Sequence, residues 1–251
     1  MNNPALVKLS PGIQLGLLLF LSAVVYGGLL SAGFYSDDWT FLTLARHGDG
    51  PLGFFVHDHS LTYMYRPVAL ISWWGLVQSA ELNAAWHYGF ALLVHCLNAL
   101  LLGMLGLRWG LPRMAAMGLA ALFLLHPAAG ATVSWLADRF DLLMSLGVLL
   151  VLWSSQRMID SGTGRWWWVI AAGLLLAVGS KETGLSAVAL LFVALLDLSV
   201  GWRRRLQAYF ALVVFVIAYF WLRAQVLGSL EGIANKAGDL NALLHGAALW
   251  F

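Results

Sequence analysis

The chain has 251 residues, of which 61% are hydrophobic and only 10% charged, with 13 Trp and a mean hydropathy of +0.80. A soluble domain carries about 25% charged residues, so this composition excludes a soluble globular class. The apolar runs are continuous rather than alternating, which argues against a barrel and predicts an all-α integral membrane protein. The formal net charge of +2 names no partner; membrane lipids are expected around the chain, and no nucleic acid.

A membrane helix needs about 20 apolar residues. The first such run is 13–34, which lacks a convincing small-residue cleavage site and reads as a retained helix. It exits into Phe34-Tyr35-Ser36-Asp37-Asp38-Trp39. The stretch 35–66 is the longest hydrophilic one, and it is predicted to be the first extracytoplasmic loop, with interfacial helices. An apolar run at 67–80 follows Arg66-Pro67; it is too short to span comfortably and suits an interfacial or re-entrant helix. Further spans are predicted at 85–107, 113–126, 133–154, 166–180, 183–200 and 206–224, giving a polytopic bundle of about seven transmembrane helices. The third and fifth are short and imply tilt or local thinning of the bilayer. Residues 1–251 read as a single transmembrane domain. The chain stops on the apolar run Ala242–Phe251 without a polar finish, as a truncated chain would. Cys96 is alone, so no intrachain disulfide is expected.

Charge predicts the orientation. With the amino terminus in the cytoplasm, Lys8, Arg108, Arg113, Arg157, Arg165 and Arg203–Arg205 all fall on the cytoplasmic side, as the positive-inside rule requires. Ten of the twelve acids then lie outside or at outer helix ends, with Asp160 and Asp197 the exceptions. Any chemistry is therefore expected on the extracytoplasmic face of a cytoplasmic membrane. The clusters Trp73-Trp74 and Trp166-Trp167-Trp168 read as interface anchors.

Five constellations stand out. Asp37 and Asp38 are adjacent carboxylates at a membrane boundary, where each raises the proton affinity of the other and one can act as a general base on a hydroxyl. The same residues, with Ser36, could instead cap a helix starting near Trp39. His57-Asp58-His59 offers imidazole and carboxylate ligands, so a divalent metal is conceivable, though a solvated loop explains the triplet as well and no cofactor is indicated. His126-Pro127 predicts a tight outer turn ahead of a helix that opens with Asp138, Arg139 and Asp141. These charges suit either a site or an ion pair between helices; at a bilayer centre each would cost roughly 2.5–3.5 kcal/mol. Ser180-Lys181-Glu182-Thr183-Gly184 sets a lysine and backbone amides at a helix start, which suits a phosphate or a plain capped turn with Lys181 solvated. The His87, His95, Asn98 stripe reads as interhelical hydrogen bonding or, less simply, ligand contact.

Taken in order, Tyr35-Ser36-Asp37-Asp38, Tyr65-Arg66-Pro67, His87 through Asn98, His126-Pro127 with Val133, Trp135, Arg139 and Asp141, and Ser180-Lys181-Glu182-Thr183-Gly184 resemble the membrane glycosyltransferases of the GT-C fold. They look most like the protein O-mannosyltransferase-related group, including its transmembrane members with tetratricopeptide repeats, and the likeness covers the amino-terminal membrane core of that group. The resemblance implies a polyprenyl-phosphate sugar donor, a protein, glycan or lipid acceptor hydroxyl, and inverting transfer on the extracytoplasmic face. It makes Asp37 or Asp38 the general base, with Asp37 preferred. It makes Arg66, Arg139 and Lys181 phosphate ligands and puts His126, Asp141 and Glu182 in the substrate site. Family members usually have more spans and often a following repeat domain, and His57 and His59 have no counterpart in the pattern. A transporter or flippase for a lipid-linked substrate and a non-catalytic membrane scaffold are the alternatives. A shared site further requires Asp37, Arg139 and Lys181 to open onto one outer cavity.

Overall fold

A computed structural model describes residues 10–57, 64–161, 163–196 and 201–228, and all the regular elements among them are helical. Lys8, Asp58, His59, Tyr63, Asp197, Glu231, Asp239 and the run 242–251 lie outside the described residues. Helix α1 (Pro11–Tyr26) continues as a 3-10 turn over Gly27–Ser31. The first loop holds α2 (Asp38–His47) and α3 (Gly53–Val56). Next come α4 (Pro67–Ala80), α5 (Ala84–Arg108), α6 (Arg113–Leu125) and α7 (Pro127–Ser134). A 3-10 turn over Leu136–Asp138 leads into α8 (Arg139–Ser161) and α9 (Trp166–Ser180). Another 3-10 turn, Glu182–Leu185, precedes α10 (Ser186–Ala194) and α11 (Trp202–Leu227).

Proline and small polar residues punctuate these helices for physical reasons. Pro11, Pro67 and Pro127 open α1, α4 and α7, where the missing N–H costs nothing. Ser10 and Asn83 cap α1 and α5 by accepting from the amides of Ile13 (3.3 Å) and Ala85 (3.1 Å).

Among the described residues, three helices are long and apolar enough to cross a membrane: Pro11–Ser31, Ala84–Arg108 and Arg205–Leu227. Helices α6 and α7 together meet the same test as one run bent by 50° at His126. Apolar side chains stand exposed along α1 and α11, among them Phe20, Val24, Phe210, Ile217 and Trp221, as a lipid-facing surface requires. The chain is thus all-α and carries the marks of a membrane protein. The expected span at 133–154 begins later than the hydropathy implied, because Pro127–Asp138 forms a separate short helix and turn.

Helix α5 is the centre of the bundle and packs on α1, α6 and α8. It runs in the same direction as α8. His87 and Arg139 meet near the starts of the two helices, and Arg108 and Asp160 pair near their ends. The expected polar stripe on α5 is indeed interhelical: the His95 ring bonds the Leu124 carbonyl at 3.0 Å, and the Asn98 amide donates to the Leu142 carbonyl at 2.9 Å.

Helices α8 and α9 pack closely along their length. Gly147 and Gly173 face each other across it, so that a Cβ on Gly147 would meet the backbone of Ala177 and Gly173. Small residues let the two backbones touch, which is how helices gain packing energy where no water is expelled. Gly147→Ala must push the helices apart and is expected to cost about 1–3 kcal/mol. A thermal-unfolding scan in detergent checks this, and an unchanged melting temperature would contradict the close approach.

Candidate functional site

The chain leaves α1 and reaches Ser36, whose φ of 52° is in the left-handed region that non-glycine residues avoid. The turn is held by bonds running both ways. The Asp38 amide donates to the Tyr35 carbonyl (3.2 Å), and Asp38 Oδ2 accepts from the Tyr35 amide (3.1 Å). The Ala137 amide lies close enough to act on the same carboxylate. The adjacent acids therefore part company. Asp38, in the first turn of α2, is 0% exposed. Asp37 is exposed, stands at the N-cap position without capping any amide, and accepts only a 3.3 Å bond from the Ser36 hydroxyl. Burial pushes the Asp38 carboxyl above its ordinary range, partly offset by the two amides and Arg139, while Asp37 adds to the rise.

Arg139 was expected to open onto an outer cavity and is instead enclosed, at 0% exposure. Its guanidinium lies 4.0 Å over the Trp73 ring and 5.4 Å over Phe90, and Nη2 donates to His87 Nδ1 at 3.1 Å. Because Nδ1 accepts, His87 is a neutral imidazole whose Nε2–H faces the Glu81 carbonyl at 3.3 Å.

The remaining charges meet at the same end of the bundle. Lys181 Nζ donates to both Asp141 oxygens, at 2.7 and 2.6 Å, joining the start of α8 to the end of α9. Glu182, the next residue, binds two arginines. Arg66 reaches Oε2 through Nε (3.1 Å) and Nη2 (2.9 Å), and Arg223 reaches Oε1 at 3.2 Å. Arg66 also lies 5.0 Å over the Phe140 ring. Asp138 connects the two halves of the site. It is close enough to feel Asp141, Lys181 and Arg66, and it acts in turn on Tyr35. Burial raises its carboxyl, Asp141 adds to that, and the two cations oppose it.

A cavity of about 470 Å³ opens between α5, α6, α7 and α8. Its polar lining is His95, Asn98, His126, Thr132, Asp141 and Ser145; its apolar lining includes Leu102, Leu119, Leu122 and Phe123. It exists because the chain bends at His126-Pro127. His126 ends α6 in an extended conformation and caps α7, its Nδ1 accepting from the Ala128 amide at 3.2 Å. Of the residues expected in the site, His126 and Asp141 line this cavity. Asp37, Arg139 and Lys181 are not in its lining, although Lys181 is bonded to Asp141.

Sequence reasoning passed over Arg223, which joins the Glu182 cluster, and gave no site role to Tyr35 and Tyr88, whose hydroxyls both donate to the Ser134 carbonyl (3.4 and 3.3 Å) beside the Asp38 turn. Arg223 was concealed by its position in the last turns of an apolar helix, where a basic residue usually marks an interface. In the first loop, His57 Nδ1 faces Asp49 Oδ2 at 2.6 Å on an exposed surface. Among the described residues, no three His, Cys, Asp or Glu side chains converge as metal ligands. No protein-family model, curated protein or solved structure matches the chain.

Glu182 gives a pH test. Its burial favours the neutral acid, but Arg66 and Arg223 outweigh this and hold it below the ordinary glutamate value of 4.5. A depressed carboxylate stabilises the fold above its unfolded pKa, and that stability is lost as the pH falls through the lower folded value. The melting temperature of the native chain should exceed that of Glu182→Gln at pH 7, and the gap should close as the pH falls below 4.5. A gap independent of pH would mean that the ion pairs do not stabilise the fold.

Proposed function

We propose that this chain transfers a sugar from a polyprenyl-phosphate donor to an acceptor hydroxyl, with inversion, on the extracytoplasmic face of a cytoplasmic membrane. The observation that carries the reading is the amphiphilic shape of the site. A cavity with an apolar side formed by Leu102, Leu119, Leu122 and Phe123 is also lined by Asp141, and Asp141 is bonded to Lys181 at the charged end of the bundle. A lipid phosphate has the same division: a long apolar tail that needs a groove between helices and an anionic head that needs cations. The sequence resemblance to GT-C glycosyltransferases supports the same assignment.

In this reading Lys181 and Arg66 take the phosphate. Arg66 has more N–H donors than Glu182 uses, and the Arg66–Glu182–Arg223 group carries a net positive charge, so an anion can join without breaking it. Asp141 orients Lys181 while the head group is absent, and His126 flanks the tail at the bend. Asp37 is the base, because its carboxylate is the one an acceptor can reach. As the acceptor oxygen attacks the anomeric carbon from the face opposite the phosphate, Asp37 takes the hydroxyl proton. The bond from the anomeric carbon to the phosphate oxygen breaks, and the polyprenyl phosphate leaves with the electron pair. Cations held in place stabilise the charge that grows on the leaving group. The acceptor would be a protein, glycan or lipid hydroxyl.

The same proposal treats α1, α5, the bent α6–α7 run, α8, α9, α10 and α11 as seven crossings. Alternate crossings share a direction, and the parallel run of α5 and α8 supports this. A transporter would instead need ionisable groups at mid-span on interrupted helices; the described acids and basic residues gather toward helix ends.

The test is transfer or donor hydrolysis by purified protein supplied with a polyprenyl-phosphate sugar. Asp37→Asn should lose about 100-fold or more in turnover, the usual scale for a missing general base. Native turnover in Asp37→Asn would remove the base assignment. Lys181→Ala should weaken donor binding about 10-fold, as expected for one charge-assisted hydrogen bond; unchanged donor affinity would remove its phosphate role.

A further inference from the structure

The opposite end of the bundle carries a second charged patch, and this one is of a single sign. Arg157, in the last turns of α8, lies about 24 Å along the helix axis from Asp141 at 1.5 Å per residue. The turn from α8 to α9 is fastened there by one hydroxyl. Ser161 Oγ donates to the Arg157 carbonyl (2.7 Å) and accepts from Trp166 Nε1 (3.1 Å), which fixes the Trp166 indole. Trp153 meets that indole edge-on, with ring centroids 5.2 Å apart.

Two guanidinium groups gather on the fixed ring. Arg157 lies 5.6 Å from the Trp166 centroid and 5.4 Å from that of Trp153, and Arg165 lies 5.0 Å from Trp166. Stacking on an aromatic face holds a guanidinium in place and leaves its N–H edge free to donate. Both arginines are exposed, and among the described residues neither has a carboxylate partner. The one described acid at this end, Asp160, is paired with Arg108. Like charges held beside one ring repel, and an anion shared between them removes that cost. The start of α11 adds to the patch. Its Ala208 and Leu212 pack in one cluster with Met158, Ile170 and Trp166, and Arg203 lies 5.6 Å over the Trp202 ring.

The surface beside the arginines selects the kind of anion. Arg165, Trp168, Ala172 and Leu175 recur at three- and four-residue spacing and are all exposed, Trp168 at 82%, so one apolar stripe of α9 leads away from the guanidinium. A phosphate free in water gains nothing from such a stripe. A phospholipid gains from both parts, since its phosphate meets the N–H edges and its chains cover the apolar face. Indoles prefer the depth of the head groups, and basic residues near a membrane surface attract anionic lipids.

We propose that Arg157 and Arg165, stacked on Trp166 at the α8–α9 turn, bind the phosphate of an anionic phospholipid whose acyl chains lie along the exposed face of α9. The site is separate from the Asp141–Lys181 end and does not rest on the glycosyltransferase reading.

Native mass spectrometry of the full chain in neutral detergent tests it, with titrations of dioleoyl phosphatidylglycerol, dioleoyl phosphatidylcholine and inorganic phosphate. The native protein should bind phosphatidylglycerol more tightly than phosphatidylcholine, and inorganic phosphate should not compete. Arg157→Gln and Arg165→Gln should each weaken phosphatidylglycerol binding about 10-fold, the scale of one charge-assisted hydrogen bond. Arg157→Lys should recover part of the loss. Arg46→Gln removes an exposed cation from the first loop and should bind as the native chain does. Equal affinity for the two lipids overturns the proposal, as does native affinity in both Arg157→Gln and Arg165→Gln. An equal loss in Arg46→Gln would mean attraction by overall charge alone, and full competition by inorganic phosphate would mean a soluble anion; either overturns it. If Arg157→Gln fails to fold, Arg165→Gln, whose side chain is on the connecting turn, decides alone. Lys181→Ala separates the two ends. Retained phosphatidylglycerol binding supports the site at Trp166, whereas loss in Lys181→Ala with none in the arginine variants would place the lipid in the donor site and overturn the proposal.

Discussion

Charge matching at one end of an apolar bundle decides which parts of this chain meet. A lone ion among apolar helices is expensive, so each helix end that carries one must find an opposite charge or a neutral acceptor. Lys181 and Asp141 fasten α9 to α8. Glu182 gathers Arg66, just before α4, and Arg223, near the end of α11. Arg139 has no direct ion pair among the described residues and leans on a neutral imidazole from α5 and two aromatic faces. Positions far apart in sequence are thus drawn to one place, and the rest of the packing, including the glycine contact of α8 with α9, follows from helices held at that end.

The apolar runs were readable because hydropathy and proline are local signals. The span expected at 85–107 is Ala84–Arg108, and the run expected at 166–180 forms the helix Trp166–Ser180, shorter than a full span. The run after His126 was harder. Its small apolar residues do not separate a bent continuation of α6 from the beginning of α8, and only backbone geometry does so. The short helix at 67–80 was legible as non-spanning from length alone, but its burial against α2 and α9 was not.

The site was legible as a set of residues and opaque as an arrangement. The placement of Asp141 and Lys181 near helix ends follows from where charge interrupts the apolar runs; their bond follows from how closely Gly147 lets α9 approach, which no periodicity encodes. The divergence of Asp37 and Asp38 depends on a serine in a conformation that serine rarely takes. Arg139 could be recognised as unusual, yet its enclosure by Trp73 and His87 needed the fold of α4 back onto α5.

The lengths of two helices carry a last consequence. Helix α6 has 13 residues and α9 has 15, which at 1.5 Å per residue makes them about 20 and 22 Å long, against a hydrocarbon thickness of about 30 Å. If both start at one membrane surface, they stop well short of the other. The bend at His126 and the Lys181 turn then form a threshold sunk below the surface, level with the upper acyl chains. A molecule resident in the bilayer would enter such a threshold sideways, through a gap between helices, without first being lifted into water.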